Sequence, residues 1–124
     1  MSIFKKFIKN TENMKIQKAV LKLNELGQMP NADSDDERLE ELSEKYDKLL
    51  EQVKLPLNYQ EAELLVQLFP EESLFEVEWS LLHLFETIYD EITQTEYLQL
   101  IEKCSSKEWK KTLKIRFKNA EKSK

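Results

Sequence analysis

The chain has 124 residues, 40% of them hydrophobic and 35% charged, with 24 acidic residues against 19 Lys and Arg and a formal net charge of −5 at neutral pH. That is the length of one ordinary domain, and more charge than the usual quarter. One Gly and three Pro argue against turn-rich all-β folds and exclude a glycine-cradled phosphate loop, while one Cys and one His exclude a disulfide framework, a thiolate zinc cluster and multi-histidine metal sites.

The N-terminal ten residues carry Lys5, Lys6 and Lys9 among Ile3, Phe4, Phe7 and Ile8. No uninterrupted apolar region and no small-residue cleavage site follow, as a signal peptide would need. A short helix over 2–9 is compatible with this pattern. No apolar run approaches the ~18 residues of a bilayer span, so a cytoplasmic protein with no membrane partner is expected.

Helix signals then recur with unusual regularity. A first helix over 11–27 places Ile16, Val20, Leu23 and Leu26 on one side, with Thr11 as its cap and Gly27 as its stop. Residues 28–36 form a polar loop with Pro30. A second helix over 35–54 has a narrow stripe of Leu39, Leu42, Tyr46, Leu49, Leu50 and Val53, and Pro56 follows it. A third, over 59–69, carries Ala62, Leu65, Val66 and Phe69 and ends at Pro70. The fourth, over 74–89, is apolar nearly all round, which predicts a central helix covered by its neighbours. A fifth over 94–104 and a sixth over 106–120 complete the chain, with a frayed basic tail over 119–124.

Four serine or threonine residues are followed three positions later by glutamate: Ser34–Glu37, Ser73–Glu76, Thr93–Glu96 and Ser105–Glu108. Each has the spacing of a capping box, and Asn58–Glu61 is a weaker form. No strand-like alternation persists. The expected fold is therefore a single all-α domain over 1–124, about six helices in antiparallel pairs, arranged as an irregular helical-repeat-like stack or a bundle.

Charge is unevenly distributed along this domain. Residues 1–22 hold six Lys and one acid, residues 103–124 hold nine basic residues and two acids, and residues 23–102 hold four basic residues and 21 acids. An acidic middle disfavours nucleic acid and favours a basic protein partner. A plainer reading is that these charges are solvated helix faces that meet one another. The densest acids are Asp33, Asp35, Asp36, Glu37, Glu40, Glu41, Glu44, Asp47 and Glu51. Glu37–Glu41 and Glu40–Glu44 are like-charged pairs four apart, destabilising by a few tenths of a kcal/mol each. That cost points to a surface kept for a partner.

Other chemistry is thin. His83 shares a helix face with Glu76 and Glu86, either as an acid–base pair or as a buried polar cluster. No second His and no nucleophile accompany it, so no catalytic residue, metal or cofactor is expected. Cys104 reads as a small buried hydrophobe. Trp79 reads first as a core tryptophan and second as an exposed anchor beside Glu76. Trp109, among Lys107, Lys110 and Lys111, reads as half-exposed under lysine stems. The basic tail reads as a solvated helix face that can pair with acids of preceding helices.

The segment from Glu72 to Glu86, Glu-Ser-Leu-Phe-Glu-Val-Glu-Trp-Ser-Leu-Leu-His-Leu-Phe-Glu, resembles a segment of small helical immunity proteins of bacterial polymorphic toxin systems, notably the family called immunity protein 30. An acidic, bulky turn leads there into an apolar helix that ends near His-Leu-hydrophobic-Glu. The resemblance implies a non-catalytic, acidic, cytoplasmic protein that occludes the active site of a toxin domain. Carboxylates would occupy phosphate positions if that toxin is a nuclease. The second expectation, from the helix pattern alone, is an adaptor binding a peptide or helix in a groove.

Overall fold

The computed structural model describes residues 15–32 and 37–123. The expectations at 2–9, Thr11, Asp33, Ser34, Asp35 and Asp36 lie outside the described residues. Among the described residues there are six α-helices: α1 (Lys18–Leu26), α2 (Glu37–Gln52), α3 (Tyr59–Val66), α4 (Val77–Glu86), α5 (Gln94–Glu102) and α6 (Lys107–Lys122). A single 3-10 turn, Thr87–Asp90, follows α4, and no strand occurs among the described residues.

The helices pair as hairpins, α1 with α2, α3 with α4 and α5 with α6, and the hairpins stack. α3 packs between α1 and α5 in one layer, while α2 packs on α4 in the other. α4 and α6 are joined through side chains. The rings of Trp79 and Trp109 meet at 5.4 Å, and Arg116 donates to Glu86 at 2.6 and 2.9 Å. Both pairs are thirty residues apart in sequence, so α4 and α6 run parallel. Residues 27–32, 67–76 and 103–106 thus gather at one end of the stack, here called the upper end.

Helix stripes at spacings of three and four supply the core. Val20 and Leu23 of α1 meet Tyr46 and Leu50 of α2, Leu65 of α3, Leu81 and Phe85 of α4, Leu100 of α5 and Leu113 of α6, all buried. Two helix starts follow the sequence rule. Thr93 with Glu96, and Asn58 with Glu61, form complete capping boxes. The carboxylate of Glu61 is buried and also accepts from the backbone N–H of Gln17 at 2.8 Å. Gln17 stands at the N-cap of α1, which begins seven residues after the expected start at 11.

Other starts differ. The cap of α6 is Ser106, whose hydroxyl accepts from the Trp109 N–H at 3.1 Å, so Ser105 and Glu108 form no box. Ser106 wins because it is buried and donates to the carbonyl of Glu71. The expected Ser73–Glu76 box is also replaced. Glu78, buried in the first turn of α4, accepts from the Ser73 hydroxyl at 2.7 Å and from the Leu74 N–H at 2.8 Å. Phe75 and Glu76 then take left-handed backbone angles, φ 49° and 69°. Each costs roughly 1–2 kcal/mol for a side-chain-bearing residue. Residues 74–76 are a turn, and α4 starts at Val77. α3 ends at Val66, and α6 continues to Lys122, so residues 119–122, expected in a frayed tail, form its last turn.

The two tryptophans exchange their expected environments. Trp109 is 7% exposed; it stacks on Phe69 at 5.0 Å and its indole N–H donates to the carbonyl of Glu72. Trp79 is 45% exposed. The reason is the short α4: Leu81, Leu82 and Phe85 take its buried side, and Trp79, Ser80 and His83 fall on the opposite stripe. Deleting a buried indole costs about 3–5 kcal/mol, while a half-exposed one in edge contact costs at most ~1.5 kcal/mol. Trp109→Ala should therefore lose far more stability than Trp79→Ala in urea unfolding. Equal losses would contradict this placement.

Candidate functional site

The expected acids converge on α2, and α2 is held so that they overhang. The hydroxyl of Tyr46, mid-helix, donates to the carbonyl of Gly27 at 2.7 Å, with those of Leu26 and Gln28 each at 3.3 Å. Gly27 caps α1 with φ 81°, a conformation that favours glycine. At the other end, Lys54 exchanges two hydrogen bonds with the amide of Gln17, at 2.8 and 3.0 Å. The stretch from Tyr46 to Lys54 therefore spans the whole of α1. Residues 37–45 run past the end of α1 by about 13 Å of helix.

That overhang carries Glu37, Glu40, Glu41 and Glu44, all exposed, and Glu51 is exposed lower down. Asp47 is half-buried. At 100° per residue, Glu37, Glu40, Glu44, Asp47 and Glu51 share one edge of α2. Lys45, Lys48 and Gln52 share the other, where they line a shallow groove of about 620 Å³ against Lys22, Glu25 and Leu26 of α1. Ion pairs are found on other helices. Lys103 pairs with Glu63 at 3.1 Å, Lys110 and Lys114 with Glu102 at 3.7 and 2.7 Å, and Arg116 with Glu86. The basic last helix thus meets acids of preceding helices, one of its two expected roles. The salt bridges hold the Glu102 carboxyl below, and the Lys103 ammonium above, their ordinary values.

Glu76 and Trp79 occupy the upper end of α4, both exposed. The connection below them ties to the loop before α2, through Met29 N–H donating to Leu68 O at 2.9 Å and Ala32 N–H to Ser73 O at 2.8 Å. Because α2 packs on α4, the acids of α2 and the start of α4 belong to one end of one layer. Sequence reasoning missed Phe75, which is 45% exposed beside them. Its apolar character pointed inward, and the left-handed turn that turns it outward has no glycine to announce it.

The remaining chemistry is structural. His83 is exposed, and Glu86 is engaged by Arg116, so neither the acid–base pair nor the buried cluster is assembled. Cys104 is buried, and burial pushes its thiol up from its ordinary value; it donates to the carbonyl of Ser106. A cleft of about 330 Å³ is lined by Glu86, Tyr89, Tyr97, Arg116 and Phe117, whose rings pack on one another at 5.3–6.1 Å. Tyr89 and Gln94 both donate to Glu121 there. Among the described residues, no group of three or more His, Cys, Asp or Glu is placed to hold a metal ion, and no helix is long and apolar enough to cross a membrane.

No family model, curated protein or solved structure matches this chain.

Tyr46 sets the overhang, and its chemistry gives a pH test. Burial raises its phenol to about 12. The folded value lies above the unfolded one of about 10, so this contribution is complete below pH ~10 and is lost as pH rises toward 12. The urea midpoint should stay flat to pH ~9 and fall above 10. Tyr46→Phe should lose ~1 kcal/mol at neutral pH and show a shallower alkaline fall. An unchanged alkaline profile would remove Tyr46 from that role.

Proposed function

We propose that this chain is an immunity protein, which binds a cognate bacterial toxin domain in the cytoplasm and neutralises it by steric and electrostatic occlusion. One observation carries the reading: exposed acids are concentrated on the overhanging half of α2, while Glu61, Glu63, Glu78, Glu86 and Glu102 are engaged by Lys, Arg, a hydroxyl or backbone amides. Like charges set four apart on a helix disfavour each other. Such a surface gains when a basic groove covers it, because complementary potentials speed encounter and reject wrong partners. The likeness of residues 72–86 to immunity proteins supports the same reading. The protein acts by binding, without catalysis or cofactor.

The second reading is an adaptor that takes a peptide or helix in the groove between α1 and α2. Leu26 and Leu49 among its lining residues favour it.

The test is the association rate with the cognate toxin domain, for wild type and for Glu40→Lys/Glu41→Lys/Glu44→Lys. The variant should fold and associate about tenfold more slowly at low salt. The deficit should shrink as salt shortens screening to ~8–10 Å and below. Equal rates at low salt would make α2 a solvated face. Binding abolished by Leu49→Asp and untouched by the charge reversal would favour the adaptor.

A further inference from the structure

We infer that the turn before α4 is an anchor for an arginine side chain of a basic protein partner, built from the exposed rings of Phe75 and Trp79 and the carboxylates of Glu72 and Glu76. The inference rests on the reading of the chain as a binder of a basic protein and adds a second contact to it, away from α2.

Burying Phe75 is the ordinary outcome for that residue, and here the backbone prevents it. The Glu78 carboxylate holds Ser73 and Leu74, Leu74 fills the core, and the two left-handed residues that follow swing Phe75 to the surface at 45% exposure. Trp79 stands one turn further on, equally exposed and set at 80° to the ring of Trp109. That edge contact fixes the indole while leaving much of it open. The carbonyl of Glu72 accepts from the indole N–H of Trp109, the ring that Trp79 meets edge-on, so the backbone of Glu72 is tied to the same aromatic cluster. The side chains of Glu72 and Glu76 are exposed. On α6, Glu108 lies nearer the α4 side than Lys107 and Lys111, which turn toward the far side at 100° per residue.

Aromatic faces attract a cation, and carboxylates at their rim select one. Arginine fits better than lysine, because a planar guanidinium stacks on a ring while its fork still reaches a carboxylate. A neutral apolar partner would leave the acids desolvated and unpaired, which is costly. Rigid aromatics in a pre-set position are the usual source of slow dissociation, and charges at a distance the usual source of fast association. The two surfaces therefore divide the work: α2 governs encounter, and the aromatic turn governs residence.

The experiment follows the two indole N–H resonances of the full chain during titration with a peptide of alternating Arg and Gly. The Trp79 resonance should shift saturably, and more than that of Trp109. An Arg-to-Lys peptide should bind about threefold more weakly, and a Leu–Gly peptide should leave Trp79 unmoved. Glu72→Gln/Glu76→Gln, followed by the same resonance, and Phe75→Ala should each weaken binding about fivefold or more, while the triple reversal on α2 should leave the Trp79 shift in place. The inference is overturned if Trp79 does not move, if the Leu–Gly peptide moves it equally, or if only the α2 reversal abolishes the shift. Dissociation from the toxin domain separates the two proposals. An unchanged dissociation rate for Trp79→Ala sinks the anchor and leaves the immunity reading standing, whereas peptide binding with no toxin binding does the reverse.

Discussion

The backbone between Glu71 and Leu74 is where the three hairpins are tied together. Glu71 accepts from the Ser106 hydroxyl, and the carbonyl of Glu72 accepts from the Trp109 indole, which fastens the start of α6. The N–H of Glu72 donates to Asn31, and the carbonyl of Ser73 accepts from Ala32, which fastens the loop before α2. The Ser73 hydroxyl and the Leu74 N–H donate to Glu78, which fastens α4. The anchor of this knot is the Glu78 carboxylate. A buried charge is expensive unless its oxygens are satisfied, and here both are. Lose that carboxylate and a buried amide is left without a partner at the point where all three hairpins meet.

Glu61 performs a matching task on the first pair of hairpins. One of its oxygens completes the Asn58 capping box and the other receives the N–H of Gln17. Gln17 in turn clasps Lys54. Two glutamates, each in the first turn of a helix, thus position the neighbouring chain as well as their own helix. Their placement agrees with the helix dipole, which favours negative charge at an N-terminus.

With the frame held this way, charge is sorted by layer. The carboxylates of Glu63, Glu86 and Glu102 are spent on Lys103, Arg116, Lys110 and Lys114, chiefly around α5 and α6. These are exposed pairs, each contributing little to stability. Their larger effect is on the field: the basic helix is partly neutralised. The layer of α2, α4 and α6 runs from acidic, through an aromatic stripe, to basic. A partner that covers α2 and reaches Trp79 would sense two sides of that gradient at once, which is the physical sense of the proposed occlusion.

Much of the frame was legible from residue order. Leu, Val and Ile at spacings of three and four marked the six helices, Gly27 ended α1, and Thr93 with Glu96 opened α5, because these signals act within one or two turns of chain. The exposed acids of α2 were legible for the same reason, since the opposite stripe of Leu39, Tyr46 and Leu50 left them nowhere else to face. What residue order did not contain was the outcome of competition between candidate groups, near or distant. Glu76 stood at capping distance from Ser73, yet Glu78 took that serine, because it could reach Leu74 as well and be buried in doing so. Ser105 stood at capping distance from Glu108, yet Ser106 capped α6, because Glu71 lay across from it. Trp79 and Trp109 are chemically alike, and only the carbonyl of Glu72 and the ring of Phe69 decided which would be buried. Local periodicity determined the helices and the acidic face; contacts across roughly thirty or more residues decided which tryptophan is buried, because a single buried acceptor or ring face can be shared by only one of the candidates competing for it.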